Sequence, residues 1–253
     1  MFETTILRCV HFLISIGAFM KQYLAFFPFF GSLQWKKSSE TVGLQSDARQ
    51  LKKLPLHFAI LILEDETSYC DIANIILWSI GLGISYISVY DVNGHLKRYS
   101  SKLKEEICQR REEVLHNESK KYHIHINTDG DQKASMNGYS SCNRVDIQIL
   151  SQEDGHEDLV ETTRKLCHRV TNMELRIDDI TAQNIDHILQ EKHRFPDPDL
   201  AVRFGPVDSL LGFLPWQCRL TEILSSPSHI GFQYKSFISL LHIYGKTQQR
   251  FGT

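Results

Sequence analysis

Apolar residues divide this chain into a hydrophobic end and a longer body in which short apolar runs alternate with helical patterns. Cys9 to Met20 is broken only by His11 and Ser15, and Tyr23 to Gly31 is apolar again after Lys21 and Gln22. Residues 36–53 are polar and read as a linker. His57 to Leu63 (HFAILIL) is short and unbroken, as a strand buried on both faces should be. Ile72, Ile75, Ile76 and Ile80 then recur at helical spacing before Gly81 and Gly83. Ile84 to Tyr90 (ISYISVY) is β-branched and aromatic and predicts a second strand. Leu96, Tyr99, Leu103, Ile107, Val114 and Leu115 mark a long, heavily charged helix.

Residues 117–144 lack a period, are rich in Asn, Ser, Gly, Asp and Lys, and predict a mobile surface loop. Val145 to Leu150 predicts a third strand, and Leu159, Thr163, Leu166, Cys167 and Val170 line a helix face. A helix over about Thr181 to His193, a fourth strand over Asp199 to Phe204 and a last helix carrying Tyr234, Phe237, Ile238, Leu241 and Tyr244 complete the pattern. The expected fold is α/β, a mostly parallel sheet flanked by helices.

The N-terminal stretch has three readings: a membrane anchor, a cleaved signal peptide with Arg8 as its basic region, or a buried helix. Twelve helical residues span about 18 Å, short of the ~30 Å hydrocarbon core. A helix from Cys9 to about Trp35 would cross, with Lys21 near its middle at a cost of about 2.5–3.5 kcal/mol that neighbouring Leu, Ile and Phe offset. No A-x-A-like cleavage site follows, and residues 1–35 are therefore expected to be a hydrophobic anchor. Lys36, Lys37, Arg49, Lys52 and Lys53 follow the apolar end, which places the remainder on the cytosolic side.

Composition narrows the classes. The 253 residues carry 28 Lys plus Arg against 30 Asp plus Glu, so a basic nucleic-acid binder is not indicated. With 42% apolar and 23% charged residues, the chain is of ordinary globular composition. Cysteines at 9, 70, 108, 142, 167 and 218 suit neither a zinc knuckle nor a disulfide framework, and a reducing compartment is the simpler reading.

Chemistry in such a sheet belongs where strands end. Glu64-Asp65-Glu66 follows the first strand, and it reads as a solvated, helix-capping turn more readily than as a Mg²⁺ cluster. Asp91, after the second strand, reads equally as a catalytic group and as a turn cap. His123 and His125 read as loop histidines, and Glu153, Asp154, Glu157 and Asp158 as acids at a helix start. Arg203 with Gly205 could meet an anion. Phe213 and Trp216 divide between core packing and an interface.

Several segments together resemble one family. LPLHFAILI at 54–62, GISYISVYD at 83–91, PDPDLAVRFGPVDSLLGFLPWQCRLTEI at 196–223 and RFG at 250–252 are similar to the cis-prenyltransferases, in particular to their accessory-subunit branch. The likeness covers residues 54–253 and implies one cis-prenyltransferase-like domain over that range. In the catalytic branch the Pro and His of the first motif are followed by an aspartate that organises Mg²⁺ and an allylic diphosphate, and then by a glycine. Here Pro55 and His57 match, but Leu63 and Glu64 stand in those two places. Arg203 matches the first late-motif arginine, Ser209 replaces the second, and Glu222 matches the late metal-binding glutamate without its partners. The resemblance therefore implies an inert pocket of its own.

By the same resemblance, Arg250, Phe251 and Gly252 reach into the site of a catalytic partner, the active subunit of dehydrodolichyl diphosphate synthase. There Arg250 and Gly252 would serve catalysis by holding the diphosphate of isopentenyl diphosphate. Mg²⁺ would sit in the partner's site, and the complex would work at the endoplasmic reticulum membrane on the route to dolichol and protein glycosylation. The rival expectation is a membrane-anchored receptor or scaffold without a part in catalysis.

Overall fold

The computed structural model describes residues 43–128, 143–193 and 195–248. The anchor expected at 1–35 lies outside them, and so do Arg250, Phe251 and Gly252. Among the described residues no helix is long and apolar enough to cross a membrane.

Six strands form one sheet in which every pairing is parallel: β1 (His57–Ile62), β2 (Tyr86–Asp91), β3 (Tyr122–Asn127), β4 (Asn143–Leu150), β5 (Leu200–Phe204) and β6 (Glu222–Ser226), in the order β3-β4-β2-β1-β5-β6. The helices are α1 (Leu44–Gln50), α2 (Tyr69–Leu82), α3 (His95–Arg98), α4 (Ser100–Leu115), α5 (His156–Thr171), α6 (Ala182–His193) and α7 (Tyr234–Lys246). All four predicted strands are present, with ends moved by at most two residues. The predicted long charged helix is divided at Tyr99 into α3 and α4.

Three elements depart from expectation. Of the segment read as a linker, Leu44–Gln50 is helical and both Leu44 and Leu51 are buried, so the chain is docked on the core from Leu44 onward. Of the predicted loop 117–144, Tyr122–Asn127 is the edge strand β3, and residues 129–142 lie outside the described ones. His123 and His125 therefore stand on a strand rather than a loop. Tyr122, Ile124 and Ile126 alternate with polar residues, and three apolar positions in a polar stretch signal little until β4 supplies the partner. The strand β6 is also absent from the expected pattern: at Glu222–Ser226 only Ile223 and Leu224 are apolar, as suits an edge strand.

Strand alternation puts Phe58, Ile60, Ile62, Ile87, Val89, Val202 and Phe204 on one face, under α2, α4 and α7. Ala59, Leu61, Leu63, Tyr90, Leu150 and Ala201 face the other side, where Phe213 and Leu214 cover them. The covering segment lies tight against the start of α5: a Cβ on Gly155 would collide with the Gly212 carbonyl oxygen.

His57 sits fully buried at the start of β1. Its Nδ1–H donates to the Pro196 carbonyl (2.6 Å), and Nε2 accepts from Ser88 Oγ (2.7 Å). Burial pushes its pKa down from 6.5 to about 4, against the hydrogen bond to Pro196 and the charge of Asp199. The unfolded chain then takes up a proton below pH 6.5 that the folded chain refuses until about pH 4. Acidification through that window should remove about 3 kcal/mol of stability, with full stability above it. Urea unfolding at pH 7 and pH 4.5 checks this, and in His57→Gln the pH dependence should shrink by that amount.

Candidate functional site

The chain leaves β1 toward β2, β4 and β3, then returns to the opposite side of β1 to lay down β5 and β6. The crevice beyond the carboxyl ends of β1 and β5 is thus the place where open parallel sheets bind ligands. Leu63, Glu64, Asp65 and Glu66 leave β1 there, and Arg203, Phe204 and Gly205 leave β5.

That crevice is closed by the chain's own groups. Leu63 N–H donates to the Phe204 carbonyl (2.8 Å), carrying the ladder one step past the strand ends. Gly205 has φ +125°, and a Cβ there would lie 2.6 Å from the Leu63 carbonyl oxygen, so only glycine lets the strands approach this closely. Leu63 is buried and offers no oxygen to a cation.

Glu64 is a partly buried acceptor rather than a fully solvated turn residue. Its carboxylate accepts from Ser228 Oγ (2.9 Å) and from the His229 backbone N–H (3.1 Å), and His229 Nδ1 lies 3.1 Å away. His229 Nε2 accepts from the Ser68 backbone N–H (2.9 Å), so the ring proton sits on Nδ1, beside Glu64 but outside hydrogen-bond geometry. Burial alone would raise the Glu64 carboxyl; the hydrogen bonds from Ser228 and the His229 backbone N–H outweigh it and hold the pKa below its ordinary value.

The start of α2, which otherwise presents free N–H groups to an anion, is equally occupied. Ser68 caps it and accepts from Asp71 N–H (3.3 Å), and Asp71 in turn accepts from Ser68 Oγ (2.7 Å) and Gly231 N–H (3.1 Å). A diphosphate entering here meets Glu64, Asp65, Glu66 and Asp71 in place of donors. Leu63 brings no ligand oxygen and both Glu64 oxygens already accept hydrogen bonds, so the residues at these two positions do not fit Mg²⁺; among the described residues no group of three His, Cys, Asp or Glu is placed to hold a metal ion by itself.

Other candidates resolve structurally. Asp91 is buried and accepts from Asn93 N–H and Leu96 N–H, both 3.0 Å, which makes it a turn cap. Asp154 closes a capping box with Ser151 and pairs with Lys97 at 3.0 Å. His125 faces Asp146 at 3.5 Å. Arg203 donates to Ser225 Oγ (2.8 Å) and pairs with Asp208. Phe213 is core, edge-on to Tyr90, and Trp216 donates its Nε1–H to Asp186 (3.1 Å). Glu222 opens β6, its N–H donating to the Asp199 carbonyl (3.0 Å).

Sequence reasoning does not find Ser228, His229 and Gly231. They lie in the turn between β6 and α7, and without β6 that turn cannot be placed; Pro227-Ser228 is the signal that marks it.

Comparison with known proteins gives a consistent set of relatives. The family described as "Putative undecaprenyl diphosphate synthase" matches residues 66–252. The chain is 41% identical over 210 residues to the mouse (Mus musculus) "Dehydrodolichyl diphosphate synthase complex subunit Nus1", covering 82% of this chain and 69% of that one. To the human (Homo sapiens) protein of the same name it is 40% identical over 210 residues, 82% of this chain and 70% of that one. In fold it is similar to lavandulyl diphosphate synthase from Lavandula x intermedia, solved in complex with dimethylallyl diphosphate: TM-score 0.54, 20% identity, 79% of this chain and 98% of that one.

Proposed function

This chain belongs to the undecaprenyl diphosphate synthase family of prenyltransferases, and we propose that within it the chain is the subunit that gives up chemistry in its own crevice to complete the site of a catalytic partner. The observation that carries this reading is the end of β1. Leu63 stands where the metal-organising acid belongs, and Glu64 is committed to Ser228 and His229. The relatives' name as complex subunits supports a partner.

In the proposed complex the partner binds Mg²⁺ and an allylic diphosphate such as farnesyl diphosphate, and isopentenyl diphosphate adds repeatedly in the cis sense. Mg²⁺ in the partner would supply charge to the departing diphosphate. This chain's part is to bind and orient. Arg250 presents a planar, permanently charged fork to phosphate oxygens, and Gly252 allows the backbone to approach them. Phe251 lies between them in sequence. Residues 1–35 would hold the complex at the endoplasmic reticulum membrane with residues 54–253 in the cytosol, beside the bilayer that receives the product.

The test is reconstitution. Co-expressed with a catalytic cis-prenyltransferase subunit, the chain should co-purify from membranes, and the eluate should elongate farnesyl diphosphate with isopentenyl diphosphate. A partner equally active with and without this chain would replace the reading with that of a scaffold.

A further inference from the structure

Three carboxylates from three separate elements converge on one short stretch of chain. Glu64, beyond β1, takes hydrogen bonds from Ser228 and His229. Asp71, in the first turn of α2, takes one from Gly231 N–H. Asp47, in α1, takes one from Tyr234 Oη (2.8 Å), the first residue of α7. His229 adds a fourth tie by accepting from Ser68 N–H at the start of α2. The stretch they hold, Ser228 to Tyr234, is the turn that launches α7. From there α7 runs 13 residues to Lys246, with Phe237, Leu241 and Tyr244 buried in the core.

Packing of Phe237, Leu241 and Tyr244, with Tyr234, Ile238 and Leu240 beside them, holds the helix on the core, but apolar contact is not directional and leaves the finer setting of position and rotation to polar ties. Hydrogen bonds to fixed carboxylates are directional, and those to charged acceptors are the stronger ones. Glu64 is the central member. Its carboxylate meets two donors, Ser228 Oγ and the His229 backbone N–H, at 2.9 and 3.1 Å, one on each oxygen. A small residue in this place leaves Ser228 Oγ and the His229 N–H without their acceptor.

We propose that Glu64 is a positioning residue: with Asp71 and Asp47 it sets the axial register of α7, and so sets where the residues after α7 meet the diphosphate of isopentenyl diphosphate. This rests on the role proposed for residues 250–252, and it assigns a use to the glutamate that displaced the crevice's glycine.

Two measurements test it. In the isolated full chain, Glu64→Gln keeps size but turns one acceptor into a donor facing donors. Amide hydrogen exchange at Ser228–Tyr234 and in the first turn of α7 should quicken at least tenfold in this variant, with β1 and β2 unchanged. In the reconstituted complex, KM for isopentenyl diphosphate should rise about tenfold while KM for farnesyl diphosphate holds, since small displacements of a binding group carry factors of this order. Simple loss of folded protein would lower the maximal rate and leave both KM values alone. Glu64→Ala should show the same split, and added formate should reverse it by refilling the acceptor site. Unchanged exchange at Ser228–Tyr234, or a lower maximal rate with both KM values intact, overturns the proposal. If exchange quickens but wild-type chain and partner together transfer no prenyl groups, it is the functional reading that fails.

Discussion

Replacing Gly252 with aspartate in the reconstituted complex should lower kcat/KM for isopentenyl diphosphate by about one to two orders of magnitude, the scale of losing one hydrogen bond to a charged group. On the role proposed for residues 250–252, a side chain at this position would keep the backbone away from the phosphate oxygens, and a carboxylate would set a like charge against the diphosphate of isopentenyl diphosphate. Arg250→Ala removes the bidentate fork and should fall in the same range, mainly through KM for isopentenyl diphosphate. Both substitutions lie beyond α7 and its core contacts at Phe237, Leu241 and Tyr244, so complex formation should survive. Gel filtration of the mixed subunits and steady-state rates check the two statements together. An intact complex with unchanged turnover in both variants would remove residues 250–252 from the active site.

The chain by itself should transfer no prenyl groups, and restoring the lost acid should not awaken it. Leu63→Asp places a carboxylate at a buried position adjoining Glu64, next to a strand end whose N–H and neighbouring carbonyl are already paired with Phe204 and crowded by Gly205. Burying that charge beside another should cost about 3 kcal/mol of stability. It should gain no Mg²⁺ affinity, because both Glu64 oxygens are engaged by Ser228 and His229, and Ser209 supplies no positive charge for a diphosphate. Calorimetric titration with Mg²⁺, thermal unfolding and a prenyl-transfer assay on the single chain read the three quantities. Turnover by the unmodified chain alone would overturn the argument.

Much of the body is legible in the residue pattern. HFAILIL reads as a doubly buried strand, and the isoleucines after it as one helix face, because those patterns are local and repeat within a few residues. The edge strands are not legible in this way. β3 and β6 carry few apolar positions because each has a single neighbour, and their identity comes from pairing with β4 and β5. Residues 44–51 read as polar linker because only Leu44 and Leu51 are buried there, too few to set a period.

Glu64 shows the division most clearly. Residue types alone make the crevice unfit for a diphosphate: Leu63 has no ligand atom, Glu64 carries the wrong charge, and neither statement needs coordinates. What residue types cannot say is that Glu64 has a use. On its own it is one of three acids in a turn, equivalent to Asp65 and Glu66. Ser228 and His229 stand 164 and 165 residues further on, and only the return of the chain through β5 and β6 sets them beside it. Chemical character is a property of each side chain and travels with the sequence, whereas a hydrogen bond exists only when two distant parts of the backbone are brought within about 3 Å. The first determined what this crevice cannot hold, and the second decided what it holds instead.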